Sequence, residues 1–309
     1  MTRLHDNELD IDVERVRSLV DSQMSEHASL PLRELSSSGS TNRLFRLGDD
    51  LLVRLPRQPG NGEAIRKEER WVQQLSGTLG VDTPDIIYVG QPAHDFPEQW
   101  SVVRWIEGKH PSTANVASQD DQINLAKDLA RVISALRIQT VPSNVDASLR
   151  WYRGAALSEF NEATVRAIAA CREIPDLDLD LACVLEVWRE AMSLPCASQV
   201  SLDTWYHADL VAENLLVRDG RLAAVLDWGV LGIGDPTVDL HGAWELFGPE
   251  AREVFRDELD VDDETWLCGR AWALGIAVGC FSYYWVKMPG RCADRSVMAR
   301  AILDDFNKT

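Results

Sequence analysis

The chain has 309 residues, 45% of them apolar, enough to bury a core in one large or two modest domains, which excludes global disorder. Its formal charge of -18 repels phosphate-rich polymers, so a general nucleic-acid binder is not expected; a cationic small molecule would be attracted, though solubility is the simpler explanation of the charge alone. The six cysteines stand twelve or more residues apart without a C-x-x-C pair, which is not zinc spacing and predicts reduced, mostly buried thiols in a cytoplasmic protein.

In chain order, Ile11 to Met24 places Val13, Val16, Leu19 and Val20 at helical spacing. A strand-like stretch ends at Leu35, and the polar run Ser36 to Asn42 follows. The apolar runs Leu44 to Leu47 and Leu51 to Leu55 flank Gly48-Asp49-Asp50, a hairpin signal. Glu63 to Leu75 reads as a helix, and Asp85 to Val89 and Trp100 to Ile106 as strands. Residues 1–106 therefore form a small, mainly antiparallel sheet with one helix inside its strand order. Glu107-Gly108-Lys109-His110-Pro111 breaks the pattern as a linker.

Residues 107–309 turn helical. Ser118 to Asp121 fits a capping signal ahead of the apolar face Ile123, Leu129, Val132, Ile133 and Leu136. Helices are expected near 153–172 and 180–192, around the acidic loop Glu173 to Asp180. Asp219-Gly220 between Leu215–Arg218 and Arg221–Leu226 is a strong hairpin signal. From about 240 onward the pattern is helical and rich in tryptophan. Its apolar run Ala271 to Val286 is short of the roughly 20 residues that span a bilayer. The Gly275/Gly279 spacing predicts a buried helix packed closely on a neighbour, so no membrane association is expected.

The chemistry concentrates in His207-Ala208-Asp209-Leu210-Val211-Ala212-Glu213-Asn214, with Asp227-Trp228-Gly229 directly after the second hairpin strand. Phosphoryl transfer needs positioning and charge neutralisation more than covalent help. Asp209 suits the carboxylate that orients the attacking hydroxyl. Asn214 and Asp227 suit hard oxygen ligands for Mg2+. The hairpin begins at one of them and ends at the other, which can bring both to one end of the sheet. A lone Asp or Asn in a loop is more often a turn residue; the whole H-x-D-x-x-x-x-N, hairpin, D-x-G order is far more specific. His207 is expected to be buried and to shape the loop rather than act as a base.

These motifs resemble the aminoglycoside phosphotransferase family and, more distantly, eukaryotic-type protein kinases, over about residues 33 to 290. The resemblance implies an α+β, bilobal protein-kinase-like fold, with an N-terminal antiparallel sheet lobe and a mainly helical C-terminal lobe. It implies Asp209 as catalytic base and Asn214 and Asp227 as magnesium ligands. It places Ser38, Gly39 and Ser40 in a phosphate-covering loop, though with one glycine only. It sets Arg54 where the family has a lysine gripping nucleotide phosphates, with Glu68 as partner and Glu69 as fallback. It makes the backbone of Arg104 and Ile106 the adenine-binding hinge. Asp239, in Gly234 to Asp239, would brace the catalytic loop, beside a plainer role as helix N-cap. Ala208 stands where the family often has Gly, and Val211-Ala212-Glu213 replaces His-Pro-Gly, which blurs the acceptor's identity.

The implied cofactors are Mg2+ and ATP or GTP, and the implied partner is a small-molecule hydroxyl compound, an antibiotic (aminoglycoside or macrolide-like) or a metabolite. Acidic segments would suit a polycation, and Trp244, Trp266, Trp272 and Trp285 would suit an apolar ligand or, more simply, the core. Eleven residues between Asp227 and Asp239 leave no room for the peptide-docking segment of protein kinases. A catalytically silent nucleotide-binding regulator of the same fold is the alternative, with Arg54 as its one hint. Oligomeric state is left open.

Overall fold

The computed structural model describes residues 4–35, 39–60, 62–112, 114–200 and 203–308. The chain divides into two compact units, Met1–Gly77 with Asp82–Glu107, and Thr78–Val81 with Gly108–Thr309.

The first unit is a five-stranded antiparallel sheet of order β1-β2-β3-β5-β4: β1 (Leu32–Glu34), β2 (Asn42–Leu47), β3 (Leu51–Pro56), β4 (Ile86–Gly90) and β5 (Trp100–Arg104). Successive side chains of a strand point to opposite faces. On β3 that alternation sends Leu51, Val53 and Leu55 into a core shared with Val16, Leu19 and Val20 of α1 (Val13–Gln23), and with Phe45, Trp100 and Val102. Leu52 faces the other way, with Ile65 of α2 (Gly62–Leu79), Ile86 and Val103. Arg54 is two residues on, so it shares that second face and meets the helix. The β5 strand ends at Arg104, two residues short of the expected Ile106.

The second unit is mainly helical: α3 (Gln119–Arg137), α4 (Asn161–Cys171), α5 (Leu181–Met192), α6 (Pro195–Ser198), α7 (Ala243–Leu246), α8 (Pro249–Leu259), α9 (Asp263–Tyr284) and α10 (Pro289–Phe306). Ser118 caps α3 in a capping box with Asp121. Two antiparallel pairs are embedded in it: β6 (Thr204–Tyr206) with β9 (Gly232–Gly234), and β7 (Leu215–Arg218) with β8 (Arg221–Val225). The β7–β8 turn is Asp219-Gly220, both at positive φ (53° and 72°), as a tight primed hairpin turn requires. Asp128 of α3 anchors this hairpin, accepting from Arg221 Nε at 2.7 Å and from the Leu222 amide at 3.2 Å.

Four expectations need correction. The helix near 153–172 begins only at Asn161; before it lie short 3-10 turns at Tyr152–Gly154 and Leu157–Phe160. The second is Cys196 and Cys268, which form a disulfide rather than standing as reduced thiols, leaving Cys171, Cys183, Cys280 and Cys292 free. The helix α9 is buried against α4, α5 and α10 as expected, but a Cβ added at Gly279 would meet nothing within 4 Å, so close helix approach is not the reason for that glycine. Finally, the helix after Asp239 is not capped by it: Asp235 accepts from the Thr237 amide at the start of the 3-10 turn Pro236–Leu240. Among the described residues no helix is long and apolar enough to cross a membrane.

Candidate active site

In the second unit the site is built around the loop between β6 and β7. His207 is 1% exposed. The Leu226 carbonyl can only accept, so His207 Nε2 donates to it, at 3.0 Å. The Asp209 amide can only donate, so Nδ1 accepts from it, at 3.2 Å. The ring is therefore the neutral Nε2–H tautomer. Burial favours this neutrality, pulling the imidazole down to about 4. His207 ties the loop to the end of β8 and packs edge-on against Trp228 at 4.6 Å between centroids. It is a structural residue, not a proton acceptor for substrate.

Asp239, fully buried, accepts from the His207 amide at 2.9 Å and from the Ala208 amide at 2.6 Å. Burial nevertheless pushes its carboxyl up to about 6 against those hydrogen bonds. Ala208 takes φ 71°, a left-handed conformation that glycine reaches without strain. The loop has this kink because Asp239 holds the backbone on its inner side.

Asp209 emerges half-buried from the kink. Asn214 Nδ2 donates to its Oδ2 at 2.8 Å and to its carbonyl at 2.9 Å. With the amide nitrogen committed to Asp209, Asn214 Oδ1 is the side-chain atom that could ligate a metal. The Leu226 amide donates to the Asn214 carbonyl at 2.8 Å, and Leu215 pairs with Val225, so Asp227 follows a direct cross-strand neighbour of Asn214. Asp227 itself adopts φ 55°, ψ 64°, a conformation Asp tolerates better than most residues. Among the described residues there is no cluster of three or more His, Cys, Asp or Glu side chains set for a metal. One carboxamide and one carboxylate suit Mg2+, which takes few protein ligands and completes its shell with phosphate oxygens and water.

The linear motif did not reveal Arg153. Its Nη1 donates to Asp209 Oδ1 and to the Ala208 carbonyl, both at 2.7 Å. Burial alone would raise the Asp209 carboxyl, but the adjacent Arg153 charge and hydrogen bond outweigh it and hold the group well below the usual carboxylate range. Glu213 and Glu245 beside the loop are also matched: Glu213 pairs with Arg291 at 2.8 Å, and Glu245 with Arg295. The Ala212 amide donates to Glu245 Oε1 at 2.9 Å, fixing the 3-10 turn Ala212–Asn214. No spacing rule exposes any of these partners, because they lie 33 to 78 residues away.

In the first unit, Arg54 Nη1 and Nη2 donate to Glu68 Oε1 and Oε2 at 3.1 and 2.6 Å, and Nε to Ser101 Oγ at 3.0 Å. Glu68, not Glu69, is the partner. The Ser40 carbonyl is bonded to His5 Nε2 at 3.0 Å, which fixes the chain just after Gly39. Ser38 lies outside the described residues. The Arg104 amide donates to the Asp85 carbonyl at 3.0 Å, so a base could be read there only by the Arg104 carbonyl. Neither backbone group of Ile106 is hydrogen-bonded among the described residues.

The profile of the phosphotransferase enzyme family (APH) matches residues 32–272. The chain belongs to this family. As an APH-family chain it shares its fold with the GDP complex of wild-type aminoglycoside 2'-phosphotransferase-IIIa, at 17% identity and TM-score 0.72 over 97% of this chain and 100% of that one. The GDP and kanamycin complex of APH(2")-IIia aligns at 18% identity and TM-score 0.70, over 95% and 98%. Macrolide 2'-phosphotransferase MphH from Brachybacterium faecium, an apoenzyme, aligns at 20% identity and TM-score 0.58, over 92% and 97%. No curated protein sequence matches the chain significantly. The bilobal, kinase-like architecture inferred from the motifs is thus the fold of this APH-family chain, with its sheet-rich N-terminal part and mainly helical remainder.

Proposed function

We propose that the protein transfers the γ-phosphoryl group of ATP or GTP to a hydroxyl group of a small molecule. One observation carries this reading: the 2.8 Å hydrogen bond from Asn214 Nδ2 to Asp209 Oδ2. It couples the carboxylate that would orient an acceptor to the side chain that would hold a metal–nucleotide. Asp209, kept ionised by Arg153, is a weak base and a good hydrogen-bond acceptor, which suits a loose transition state in which the nucleophile keeps its proton until late. Asn214 and Asp227 would bind Mg2+, which supplies charge neutralisation at the nucleotide phosphates. In the first unit, Arg54 braced by Glu68, with Gly39 and Ser40, would serve the phosphates. The Arg104 carbonyl and the Ile106 backbone would serve the base.

The acceptor is an antibiotic of the aminoglycoside or macrolide kind, or a metabolite alcohol. The pairing of Glu213 and Glu245 with arginines weighs against a polycation, whose ammonium groups need unmatched carboxylates. Trp151 and Tyr152 (42% and 51% exposed) continue through Phe160 to Trp272 as a run of ring contacts of 4.8–5.5 Å, which favours a large, weakly charged acceptor. Trp244 is core, at 1% exposure. A cytoplasmic location accords with a nucleotide-dependent reaction.

The test is magnesium-dependent ATP and GTP turnover against a panel of hydroxyl acceptors, read as a mass gain of one phosphate. Asp209→Ala is expected to lower turnover by roughly 10²–10⁴-fold while nucleotide binding and melting temperature hold. Turnover that survives in Asp209→Ala sinks the assignment. The silent-regulator reading draws on Arg54 standing for lysine, and nucleotide binding without turnover on any acceptor would select it.

A further inference from the structure

A guanidinium has five N–H donors. In Arg153 three are committed: Nε to Tyr152 Oη at 3.2 Å, and the two hydrogens of Nη1 to the Ala208 carbonyl and Asp209 Oδ1 at 2.7 Å each. The remaining two are both on Nη2, which donates to no acceptor among the described residues. The side chain is half-buried, at 19% exposure, so the free fork faces a partly desolvated space beside the Asp209 carboxylate.

The turn that carries Arg153 is docked with unusual closeness. Gly154 lies so near Tyr206 that a Cβ there would fall 2.2 Å from the ring, and a Cβ on Gly234 would fall 2.3 Å from the Gly154 carbonyl. The Asp235 amide donates to that same carbonyl at 2.9 Å, and Tyr206 Oη to the Trp151 carbonyl at 3.2 Å. Two glycines, a buried tyrosine and two hydrogen bonds thus clamp the turn to β6 and β9. A purely electrostatic partner for Asp209 would not need such placement.

We propose that Arg153 is a catalytic residue whose Nη2 contacts the phosphoryl group in transit. The assignment rests on the phosphotransfer reading above. In the step, a lone pair of the acceptor oxygen forms the new O–P bond while the bond from γ-phosphorus to the β–γ bridging oxygen breaks. That oxygen keeps the electron pair and leaves on the nucleoside diphosphate. The acceptor proton passes to an Asp209 oxygen and from there to water. Asp209 Oδ1 and Oδ2 each keep a lone pair beyond those used by Arg153 and Asn214, so the hydroxyl can be held without displacing either. Nη2, on the same guanidinium plane, then offers two parallel donors to equatorial oxygens whose negative charge the loose transition state spreads.

The experiment measures binding of Mg2+ with ADP or GDP, with and without aluminium fluoride as the phosphoryl mimic, water filling the acceptor position. The proteins are wild type, Arg153→Ala, Arg153→Gln and Arg153→Lys, each checked by thermal melting. Fluoride is expected to tighten diphosphate binding in wild type. Arg153→Ala and Arg153→Gln should lose roughly 10²-fold of that tightening, with diphosphate affinity alone changed less than about twofold, and Arg153→Lys should recover part of it. Full tightening in Arg153→Ala overturns the proposal. So does a wild type that binds diphosphate but gains nothing from fluoride, or a variant set in which melting temperature and both affinities fall together. A wild type that binds no nucleotide fails the phosphotransfer reading instead, and takes this one with it.

Discussion

Gly154→Ala tests the packing that positions the site. Gly154 does not have a positive φ, so alanine fits its backbone and the whole penalty is steric. An ideal Cβ would sit 2.2 Å from Tyr206 Cε1 and 2.5 Å from Cζ and Oη, against ordinary contact beginning at 3.4 Å. Something must give by about 1.2 Å, the shortfall between 2.2 and 3.4 Å. Tyr206 is fully buried on β6, so the 3-10 turn moves instead. A displacement of that size stretches the 2.7 Å bond from Arg153 to Asp209 to about 3.9 Å, outside hydrogen-bond range. Overpacking of this kind costs roughly 1–3 kcal/mol, or about 2–12 °C in melting temperature for a unit of some 200 residues. The assay pairs thermal melting with turnover, and adds the double variant with Tyr206→Leu, which removes the clashing ring. Gly154→Ala should cost less on the Tyr206→Leu background than alone. A single variant that melts within about 1 °C of wild type with unaltered turnover would refute the clash and its link to Arg153.

Asp227→Ala should weaken the magnesium dependence of nucleotide binding, and an unchanged magnesium titration would remove Asp227 from the metal site. Arg54→Ala should destabilise the first unit by about 3–5 kcal/mol by leaving Glu68 buried and unpaired, with Arg54→Lys recovering part; equal stability of all three in urea would contradict the buried pair. His207 and His241, both buried, are pulled by burial from 6.5 to about 4, so below pH 6.5 the unfolded chain binds protons that the folded chain refuses. Each histidine therefore contributes about 3 kcal/mol that is lost between pH 6.5 and 4, while Asp239, raised by burial to about 6, offsets about 3 kcal/mol in the opposite direction. For these three groups the balance is a fall of about 3 kcal/mol between pH 6.5 and 4, lessened by Asp235 and Glu245, whose carboxyls burial also raises; denaturant titrations of wild type against His241→Asn read it, and an equal pH dependence in the two would refute the histidine contribution. Alkylation under denaturing, non-reducing conditions should label four of the six cysteines, and labelling of all six would rule out the Cys196–Cys268 disulfide.

The parts of the site legible in sequence are those joined by local geometry. Asp209, Asn214 and Asp227 are linked by a five-residue step and one hairpin, and Asp219-Gly220 marks that hairpin because few other pairs accept two positive φ values. Arg54 could be matched to Glu68 only through the family resemblance, which pairs a cation at that strand position with a glutamate of the following helix; the structure makes the pair because the two share one face of the sheet. Asp239 was visible as a brace, but its competing role as a cap belongs to Asp235. Arg153 was hidden because Gly154 ends regularity where apolar spacing suggested a helix, and because its partner lies 56 residues on. The Cys196–Cys268 pair, 72 residues apart, has no sequence signature either.

Global charge is the sequence feature least informative about this site. A net charge of -18 would attract a cationic acceptor but more simply keeps the chain in solution, and a surface charge more than about 10 Å away is largely screened at 0.1 M salt. What an acceptor meets is set by Asp209 with Arg153, Glu213 with Arg291 and Glu245 with Arg295, beside two histidines that burial keeps neutral. Each of these carboxylates already has its guanidinium. An ammonium group on the acceptor could bind them only by displacing an arginine into a partly buried space, which exchanges one charge pair for another and strands a cation. A hydroxyl needs only the second lone pair of an Asp209 oxygen. If the acceptor is nevertheless a polycation, carboxylates beyond these three must hold it, and neutralising Glu213 and Glu245 together should leave its KM unmoved.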